Sequence, residues 1–520
     1  MKYRMKKYLD NKWLFLFLII ILVILFRLPS LSQPFDSNSG ANAYHARLIL
    51  NGEPLYGTHH TGHHLPGVYY TYVLGFILLG DNTSSVKILL IPWTSVTAYL
   101  IYLLGIRLKG SILGALAALI YILLSSHKLL SGTSAESELF ANLPITASIL
   151  LTLFLTLNES RSWMFLWIGA LCAFSFLYKV VFLTPLIVSS LVIIFDAYLI
   201  LDFRILWNTV ATRITWMIIG FTVPLLMVAV LFARAGLWSR FMLIFEHGRS
   251  YVEYLNNDVS VIAVFILPIA VLSFNNIILI ILGMKGAIRL VRMIKKDIIF
   301  NRSLTITGTA ILLWFLLSFF VAGITRKGWP HYSLIVIPSL SILAAFEIIQ
   351  LNRIFLSKSL TRKRPSWLLP TILIISILLI SSITNFNQYY YYILYKLGYE
   401  SYEGYVTNSS YDDSINLVSI IHTAEHIKTH SSPDDYIYAW SDYAQIYYLA
   451  ERRAPIDIIW PTYAESTGPY ERIFSSKTKF IIVGKSYLAE TPDWLYKEIA
   501  KSYGFDEKIG DQIIYRRNDS

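Results

Sequence analysis

Charged side chains gather in the polar segments between long apolar runs, and their types suit chemistry on a lipid-linked anion. Burying such groups next to lipid is costly, so those at the ends of apolar runs are candidates for function. Lysine and arginine would hold a phosphate, and a carboxylate would take the proton of an acceptor hydroxyl. The candidates are Asp36, Glu136, Glu138, Lys179, Arg326, Lys327 and His331.

The candidate carboxylates also have ordinary structural explanations. Asp36 lies in a polar loop and is compatible with a solvated turn. Glu136 and Glu138 precede an apolar run that starts near Leu139, where they would cap a helix.

The candidate cations have such explanations too. Lys179 stands alone between two apolar runs and would extend its ammonium group to the lipid head groups. Arg326 and Lys327 would be interfacial charges that orient the chain in the membrane. Residue type alone therefore leaves both interpretations open.

Four histidines of one loop, His59, His60, His63 and His64, have the i, i+4 spacing that places pairs on one face of a helix. Gly62 and the neighbouring threonines predict a loop instead, and no carboxylate is interleaved with the histidines. We therefore interpret them as polar residues of an interfacial loop and predict no dedicated zinc site.

The composition identifies a polytopic membrane protein. Of 520 residues, 55% are hydrophobic and 15% charged, against about 25% charged in an average soluble domain. The net charge of +11 does not indicate a nucleic-acid binder, because the basic residues cluster between apolar runs, as the positive-inside rule describes. A single cysteine, Cys172, excludes an intrachain disulfide and a cysteine metal cluster. The first apolar run lacks a small-residue cleavage site and is predicted to be a retained anchor.

Eleven apolar runs are long enough to span a membrane. The weaker run 66–80 opens with Pro-Gly and carries several tyrosines, which favours an interfacial position. The basic loops 107–109, 285–302 and 352–364 then fall on the side of the N-terminal lysines, so the N-terminus is predicted inside and the C-terminus outside. The predicted spans lie near residues 12–28, 84–106, 110–127, 139–157, 161–177, 180–201, 212–233, 260–283, 304–323, 332–350 and 367–386.

The C-terminal region changes character and predicts a separate domain. Its patterns favour helices in INLVSIIHTAEHIKTH and PDWLYKEIAKSYG and strands in YIYAW, KFIIVGK and QIIYRR. Such alternation indicates a small α/β domain. We expect a transmembrane domain at 1–387, with a structured first outer loop at 29–83, followed by an extracytoplasmic α/β domain at 388–520.

Short motifs follow one another in a fixed order along the chain. They are Arg27-Leu28-Pro29, Asp36, Gly40, Tyr44, Ile49-Leu50-Asn51-Gly52, Tyr56, Pro66-Gly67, Tyr69-Tyr70, Ser137-Glu138, Lys179 and Pro330-His331-Tyr332. This order resembles the GT-C glycosyltransferases, specifically family 39, the dolichyl-phosphate-mannose protein mannosyltransferase-like group. Bacterial aminoarabinose transferases of lipid A belong to the same broad class.

The resemblance implies a polytopic α-helical GT-C fold and one inverting displacement from a polyprenyl-phosphate sugar to an extracytoplasmic protein, lipid or glycan, without a nucleotide sugar. It implies that Lys179, Arg326, Lys327 and His331 hold the donor phosphate. It leaves a divalent cation open as cofactor and favours a bacterial plasma membrane. The first-loop substrate site that it implies consists of Asn38, Tyr44, Tyr56, His64 and Tyr69.

The chain departs from the family pattern in three places: His64 stands where the family often has lysine, Leu65 replaces a proline, and the most serious departure is at Asn38-Ser39. The family's Asp-Glu pair, whose Asp is the usual base, falls on Asn38-Ser39, and asparagine cannot accept a proton at neutral pH. Three consequences are open. Asp36 takes the role of base, together with Glu138; or the acceptor is already ionised; or the chain has lost its activity.

Two other classes of function compete with an enzyme. A lipid-linked sugar transporter would place charges or Gly/Pro breaks at mid-membrane and show repeat symmetry, whereas the charges here lie at the ends of the spans. A non-catalytic relative that binds lipid-linked sugar is favoured by Asn38-Ser39. Binding of lipid-linked sugar without transfer would separate this relative from the enzyme.

Overall fold

The computed structural model describes residues 2–158, 160–200, 203–256, 262–298, 300–324, 328–359, 376, 385–410, 417–461, 470–484 and 491–518. Most of these residues are helical. The α-helices are α1 (Lys2–Arg27), α2 (Ser37–Leu50), α3 (Gly67–Leu79), α4 (Ser85–Lys109), α5 (Ser111–Ser125), α6 (Ser137–Leu157), α7 (Leu166–Tyr178), α8 (Thr184–Ile200), α9 (Phe203–Arg234), α10 (Trp238–Asn256), α11 (Ala263–Asp297), α12 (Arg302–Gly323), α13 (Ile337–Ser359), α14 (385–396), α15 (Tyr402–Ser409), α16 (Leu417–Thr429), α17 (Gln445–Ala450) and α18 (Asp493–Ser502). Short 3-10 helices lie at Leu28–Ser32, Lys128–Leu130, Ser162–Phe165, Val180–Leu183, Pro330–Ile335 and Tyr470–Arg472.

Six helices of the described chain are long and apolar enough to cross a membrane, and their segments are Trp13–Ser32, Ser85–Lys109, Ser137–Leu157, Val180–Ile200, Trp207–Arg234 and Arg302–Gly323. Five shorter apolar helices lie at Gly67–Leu79, Ser111–Ser125, Ser162–Tyr178, Ala263–Phe274 and Ile337–Leu351. Helices therefore occupy ten of the eleven predicted spans, and the eleventh, 367–386, lies almost wholly outside the described residues. The prediction of a polytopic helical membrane protein is confirmed.

The chain divides into two compact units. The first consists of Met1–Leu28, Ile88–Val230 and Leu255–Phe386, and the second of Pro29–Lys87, Leu231–Tyr254 and Asn387–Ser520. The first unit contains most of the long apolar helices. The second contains the residues of the predicted first outer loop, α10 and the C-terminal region.

Small residues let helices of the first unit approach closely. A Cβ atom at Gly169 on α7 would overlap the carbonyl oxygen of Met217 on α9, and one at Gly220 on α9 would overlap that of Leu166. Such backbone contact replaces the hydrophobic driving force that lipid cannot supply. Cys172, one helical turn from Gly169, is fully buried in the same cluster.

Two bidentate ion pairs link helices of the first unit. Arg302, at the start of α12, donates to both carboxylate oxygens of the buried Asp196 on α8, at 2.7 and 2.9 Å. Arg289 on α11 donates in the same way to the buried Glu347 on α13, at 2.7 and 2.8 Å. These pairs satisfy carboxylates that would otherwise be buried without a counter-charge.

The second unit contains the only sheet in the described ranges, and its strand order is β1-β2-β4-β3. The strands are β1 (Tyr436–Trp440), β2 (Thr478–Val483), β3 (Tyr503–Ile509) and β4 (Gln512–Arg517). β1 and β2 are parallel, and the other two pairs are antiparallel. The three strands and two helices predicted for this region are present, so the α/β prediction is confirmed. The fourth strand, β3, was not predicted.

Helix α2 of the first outer loop packs on α17 of the C-terminal region. Gly40 permits the contact, because a Cβ atom there would clash with the Cβ and Cα atoms of Gln445. The ring of Phe35, just before α2, packs against that of Tyr448, with the two ring centroids 5.3 Å apart. Residues about 400 positions apart in sequence therefore share one core.

Candidate functional site

Asp36 is the N-cap of helix α2. Its backbone is extended and its Oδ1 accepts a hydrogen bond of 2.7 Å from the Ser39 amide, the usual stabilisation of a helix start. The half-buried carboxylate keeps a second oxygen, Oδ2, which is buried and has no hydrogen-bond partner among the described residues. The carboxylate therefore has one structural contact and one uncommitted acceptor atom.

Lys87 lies in the first turn of α4 and was not predicted as a site residue. Its side chain is 4% exposed, and its ammonium donates to the carbonyl oxygens of Ser30 at 3.0 Å, Gln33 at 2.7 Å and Pro34 at 3.2 Å. All three carbonyls belong to the segment that leads into Asp36. The only sequence signal was a lysine inside the first turns of an apolar helix.

The remaining predicted first-loop residues are largely committed to packing within the second unit. The Tyr44 hydroxyl accepts a hydrogen bond from the Ala454 amide at 3.1 Å, and burial raises the pKa of Tyr44 to about 12. Tyr56 has a left-handed φ of 65° and donates to the carbonyl oxygen of His64 at 2.8 Å. Tyr69 is buried at 2% exposure. Asn38 is half-buried in the first turn of α2.

The predicted histidine loop forms no metal cluster. His45 and His59 face each other through their Nδ1 atoms at 2.8 Å with stacked rings, while His60 Nε2 pairs with the carbonyl oxygen of Arg240 at 2.9 Å. Burial lowers the pKa of His59 and of His60 to about 4, and burial with the neighbouring histidines lowers that of His45 well below 6.5. Within the described residues, no three histidine, cysteine or acidic side chains are placed to hold a metal ion.

Glu138 and Lys179 meet in the first unit. Glu138, in the first turn of α6, is fully buried, and its Oε1 accepts a hydrogen bond of 2.6 Å from the Lys179 ammonium. Lys179 follows α7, and its side chain is 14% exposed. The ammonium also lies over the Tyr332 ring, 4.5 Å from the centroid, a favourable cation–π geometry.

This cluster joins three separate motifs singled out in the sequence. Tyr332 and His331 belong to the 3-10 helix Pro330–Ile335, and their rings are 4.4 Å apart. Glu138 Oε2 is buried and has no hydrogen-bond partner in the described part of the chain. A lysine ammonium has the charge and the hydrogen-bond donors that an anion such as phosphate requires. Glu136 is the N-cap of α6 and makes no side-chain capping bond.

Arg27 fixes the backbone that precedes Glu138. The guanidinium, 1% exposed, donates to the carbonyl oxygen of Gly132 at 2.9 Å and to that of Ser125 at 2.8 Å. The Ser125 carbonyl is at the end of α5, and the Gly132 carbonyl lies within the loop between α5 and α6. The first residue of the Arg-x-Pro motif thus positions a loop about 100 residues later.

The two groups of predicted residues belong to different units. Glu138, Lys179 and His331 lie in the first unit, and Asp36 with the other first-loop residues lies in the second. Arg326 and Lys327, predicted to hold the donor phosphate, lie outside the described residues.

The structure is similar to two solved membrane transferases. ArnT from Cupriavidus metallidurans, bound to undecaprenyl phosphate, is 13% identical over 97% of this chain and 97% of that chain, with a TM-score of 0.60. AglB, the oligosaccharyltransferase of Archaeoglobus fulgidus in complex with an inhibitory peptide and a dolichol-phosphate, is 12% identical over 92% of this chain and 70% of that chain, with a TM-score of 0.55. No family model and no curated protein matches the chain. Identities at this level show a shared fold.

Proposed function

We propose that this chain, whose fold is that of the GT-C glycosyltransferases, is a membrane glycosyltransferase that moves a sugar from a polyprenyl-phosphate donor to an extracytoplasmic acceptor. The observation that carries the proposal is the Lys179 ammonium held between the buried carboxylate of Glu138 and the ring of Tyr332. A cation fixed at the end of a span, in this fold, suits the phosphate of a lipid carrier.

In the proposed reaction, Lys179 binds the donor phosphate while it keeps its hydrogen bond to Glu138. The ammonium has three donors, so it can contact both groups, and it stabilises the negative charge that grows on the leaving phosphate. His331 donates a hydrogen bond to the same phosphate, and Arg326 and Lys327 add positive charge. Glu138 thereby holds Lys179 in place before the donor binds.

Asp36 accepts the proton of the acceptor hydroxyl through its uncommitted Oδ2. The acceptor oxygen bonds to the anomeric carbon, the bond from that carbon to the phosphate oxygen breaks, and polyprenyl phosphate leaves with the electron pair. A single displacement of this kind inverts the anomeric configuration. We place the reaction at the outer face of a bacterial plasma membrane, with the N-terminus cytoplasmic, on the distribution of basic loops.

The proposed chemistry requires a nucleophile on the acceptor, and a protein, a lipid or a glycan can supply it. Asn38-Ser39 stand where the family 39 pattern has Asp-Glu, which supports a second candidate function, that of a non-catalytic protein that binds lipid-linked sugar. The two differ in whether the bond between the sugar and the phosphate is broken.

The deciding experiment measures transfer from radiolabelled polyprenyl-phosphate sugars to membrane extract. It compares the purified wild-type protein with Asp36→Asn, Lys179→Met and Asn38→Asp. The enzyme is supported if wild type transfers label, Asp36→Asn does not, and Lys179→Met needs more donor. Donor binding without transfer by wild type, with transfer gained by Asn38→Asp, would identify the non-catalytic relative.

A further inference from the structure

Helix α14 carries a run of aromatic residues that the proposed function does not use. Residues 389–395 read YYYYILY, and five of these seven residues are tyrosines. Tyrosine is enriched where a membrane meets water, because its ring is apolar and its hydroxyl is polar. The helix begins where the predicted eleventh span, 367–386, ends. The order of these segments puts an aromatic helix at the edge of the membrane.

One face of α14 packs on α15 within the second unit. The Tyr395 ring stacks on the Tyr405 ring, with the centroids 5.2 Å apart, and the centroid of the Tyr392 ring lies 6.1 Å from that of Tyr405. The Gln388 side chain donates to the Ser409 carbonyl oxygen at 3.0 Å. Positions 388, 392 and 395 have the i, i+4, i+7 spacing of one helix face. This inner face therefore attaches α14 to the C-terminal region.

The opposite face of α14 is an apolar stripe made of Tyr390, Ile393 and Leu397. These side chains are 59%, 49% and 64% exposed, so no described part of the chain covers them. Their i, i+3, i+7 spacing aligns them along the helix. The Leu397 amide donates to the Ile393 carbonyl oxygen at 2.9 Å, so the helical path reaches the end of the apolar stripe. An exposed apolar surface of this kind marks a site of contact with a membrane or with another molecule.

The flank of the apolar stripe indicates that the contact is with lipid. Lys396 is exposed, and its ammonium lies 5.6 Å from the centroid of the Tyr392 ring and 5.0 Å from that of Tyr395. A lysine at the edge of an apolar face places its stem along that face and its charge among the lipid head groups. Because α14 directly follows a predicted span, the chain itself holds the apolar stripe at a bilayer surface.

We propose that α14 lies in the membrane interface, with its apolar stripe against the acyl chains of phospholipids, and that it anchors the C-terminal region to the membrane surface. Interfacial helices bury their apolar face about 5–10 Å into the boundary between head groups and acyl chains. The C-terminal region thereby has a lipid contact of its own, in addition to its covalent link to the spans. This contact does not depend on the transfer reaction.

The test places the photoreactive amino acid p-benzoylphenylalanine at Tyr390, Ile393 or Leu397, one position at a time. The full chain is reconstituted in vesicles of phosphatidylethanolamine and phosphatidylglycerol with tritiated acyl chains and is then irradiated. Met227, an exposed residue of the apolar helix α9, is the lipid-facing reference. Lys501, an exposed residue of α18, is the water-facing reference. All the replaced side chains are exposed, so the substitutions leave the cores of both units intact.

The expected result is lipid label at the three positions of the apolar stripe several-fold above that at Lys501 and approaching that at Met227. Label at the stripe as low as at Lys501 overturns the proposal. Cross-linking to a second copy of the chain in place of lipid also overturns it, and a dimer band on a denaturing gel reveals this outcome. The transfer assay on the unmodified protein tests the enzyme separately, so failure of either proposal is recognised without the other.

Discussion

The Glu138 carboxylate and the Lys179 ammonium form an ion pair of 2.6 Å whose acidic partner is completely buried. Truncating one member of such a pair leaves the other charge buried and alone. We therefore expect Lys179→Met to lower the free energy of unfolding by about 3 kcal/mol. Thermal unfolding of the protein in detergent measures the effect as a fall in Tm.

The double variant Glu138→Gln/Lys179→Met is the control for that prediction. It removes both charges, so most of the lost stability should return. Equal Tm values for Lys179→Met and the double variant would show that Glu138 does not depend on the lysine charge.

Acid should destabilise the second unit through His59 and His60. Burial lowers the pKa of each to about 4, whereas an unfolded histidine titrates near 6.5. The unfolded state thus binds more protons between pH 6.5 and 4. The contribution of the two neutral histidines to stability is fully present above pH 6.5 and is lost as the pH falls through this window. The expected loss is on the order of 3 kcal/mol for each histidine, measured as Tm against pH.

The geometry of the His45–His59 pair supplies the control for that pH dependence. The two Nδ1 atoms are 2.8 Å apart, so one ring donates and the other accepts. The two Nδ1 atoms therefore cannot both be protonated while this contact is kept. His59→Phe should flatten the acid limb of the Tm curve. An acid limb as steep in His59→Phe as in the wild-type protein would contradict the assignment.

Gly40 should tolerate no side chain. A Cβ atom there would clash with the Cβ and Cα atoms of Gln445, so Gly40→Ala must separate α2 from α17, at a cost of roughly 2 kcal/mol or more. Gly248→Ala is the matched control, because its nearest neighbour is the His63 Cβ at 3.6 Å, an ordinary contact. Tm values and limited proteolysis of the two variants compare the effects, and equal values would argue against the close packing.

Replacing Arg452 should destabilise the C-terminal region more than replacing an exposed charged residue does. Its guanidinium, 5% exposed, donates to the carbonyl oxygens of Lys428, Ser431, Ala450 and Glu451 and to the Ser431 hydroxyl. Arg452→Met would leave these acceptors unpaired and should cost roughly 2–4 kcal/mol. Hydrogen exchange of α16 and α17 would increase.

Arg472→Met is the comparison for Arg452. The Arg472 side chain is 63% exposed and lies 3.7 Å from Asp457, and surface pairs of this kind contribute little to stability. If Arg472→Met lost as much protection from hydrogen exchange as Arg452→Met, the expected greater importance of Arg452 would be contradicted.

The sequence was informative where local pattern and structure coincide. Apolar runs predicted the helices of the bundle, and alternation predicted β1, β2 and β4. It missed β3, one of the two edge strands, because three successive charged residues, Asp506, Glu507 and Lys508, interrupt its apolar pattern, as charges on edge strands do. It missed α2 because nine of its fourteen residues are buried, so the helix has no polar face whose period could be read.

The sequence allowed us to predict which types of residue belong to the site, but not which of them contact each other. Glu138 and Lys179 were both identified as candidates, but nothing local indicates that residues 41 positions apart form an ion pair. Lys87 was overlooked because its partners are backbone carbonyls, which every sequence has. Asp36 carried a helix N-cap signal, yet the helix after it was not recognised.

The buried position of the one cysteine makes the wild-type chain a ready background for chemical labelling. Cys172 is fully enclosed by α7 and its neighbours, so maleimides should not reach it in the folded protein. Any cysteine introduced at an exposed position would then react alone. A membrane-impermeant maleimide applied to intact cells could report, residue by residue, which ends of the spans face outward, without first removing a native thiol.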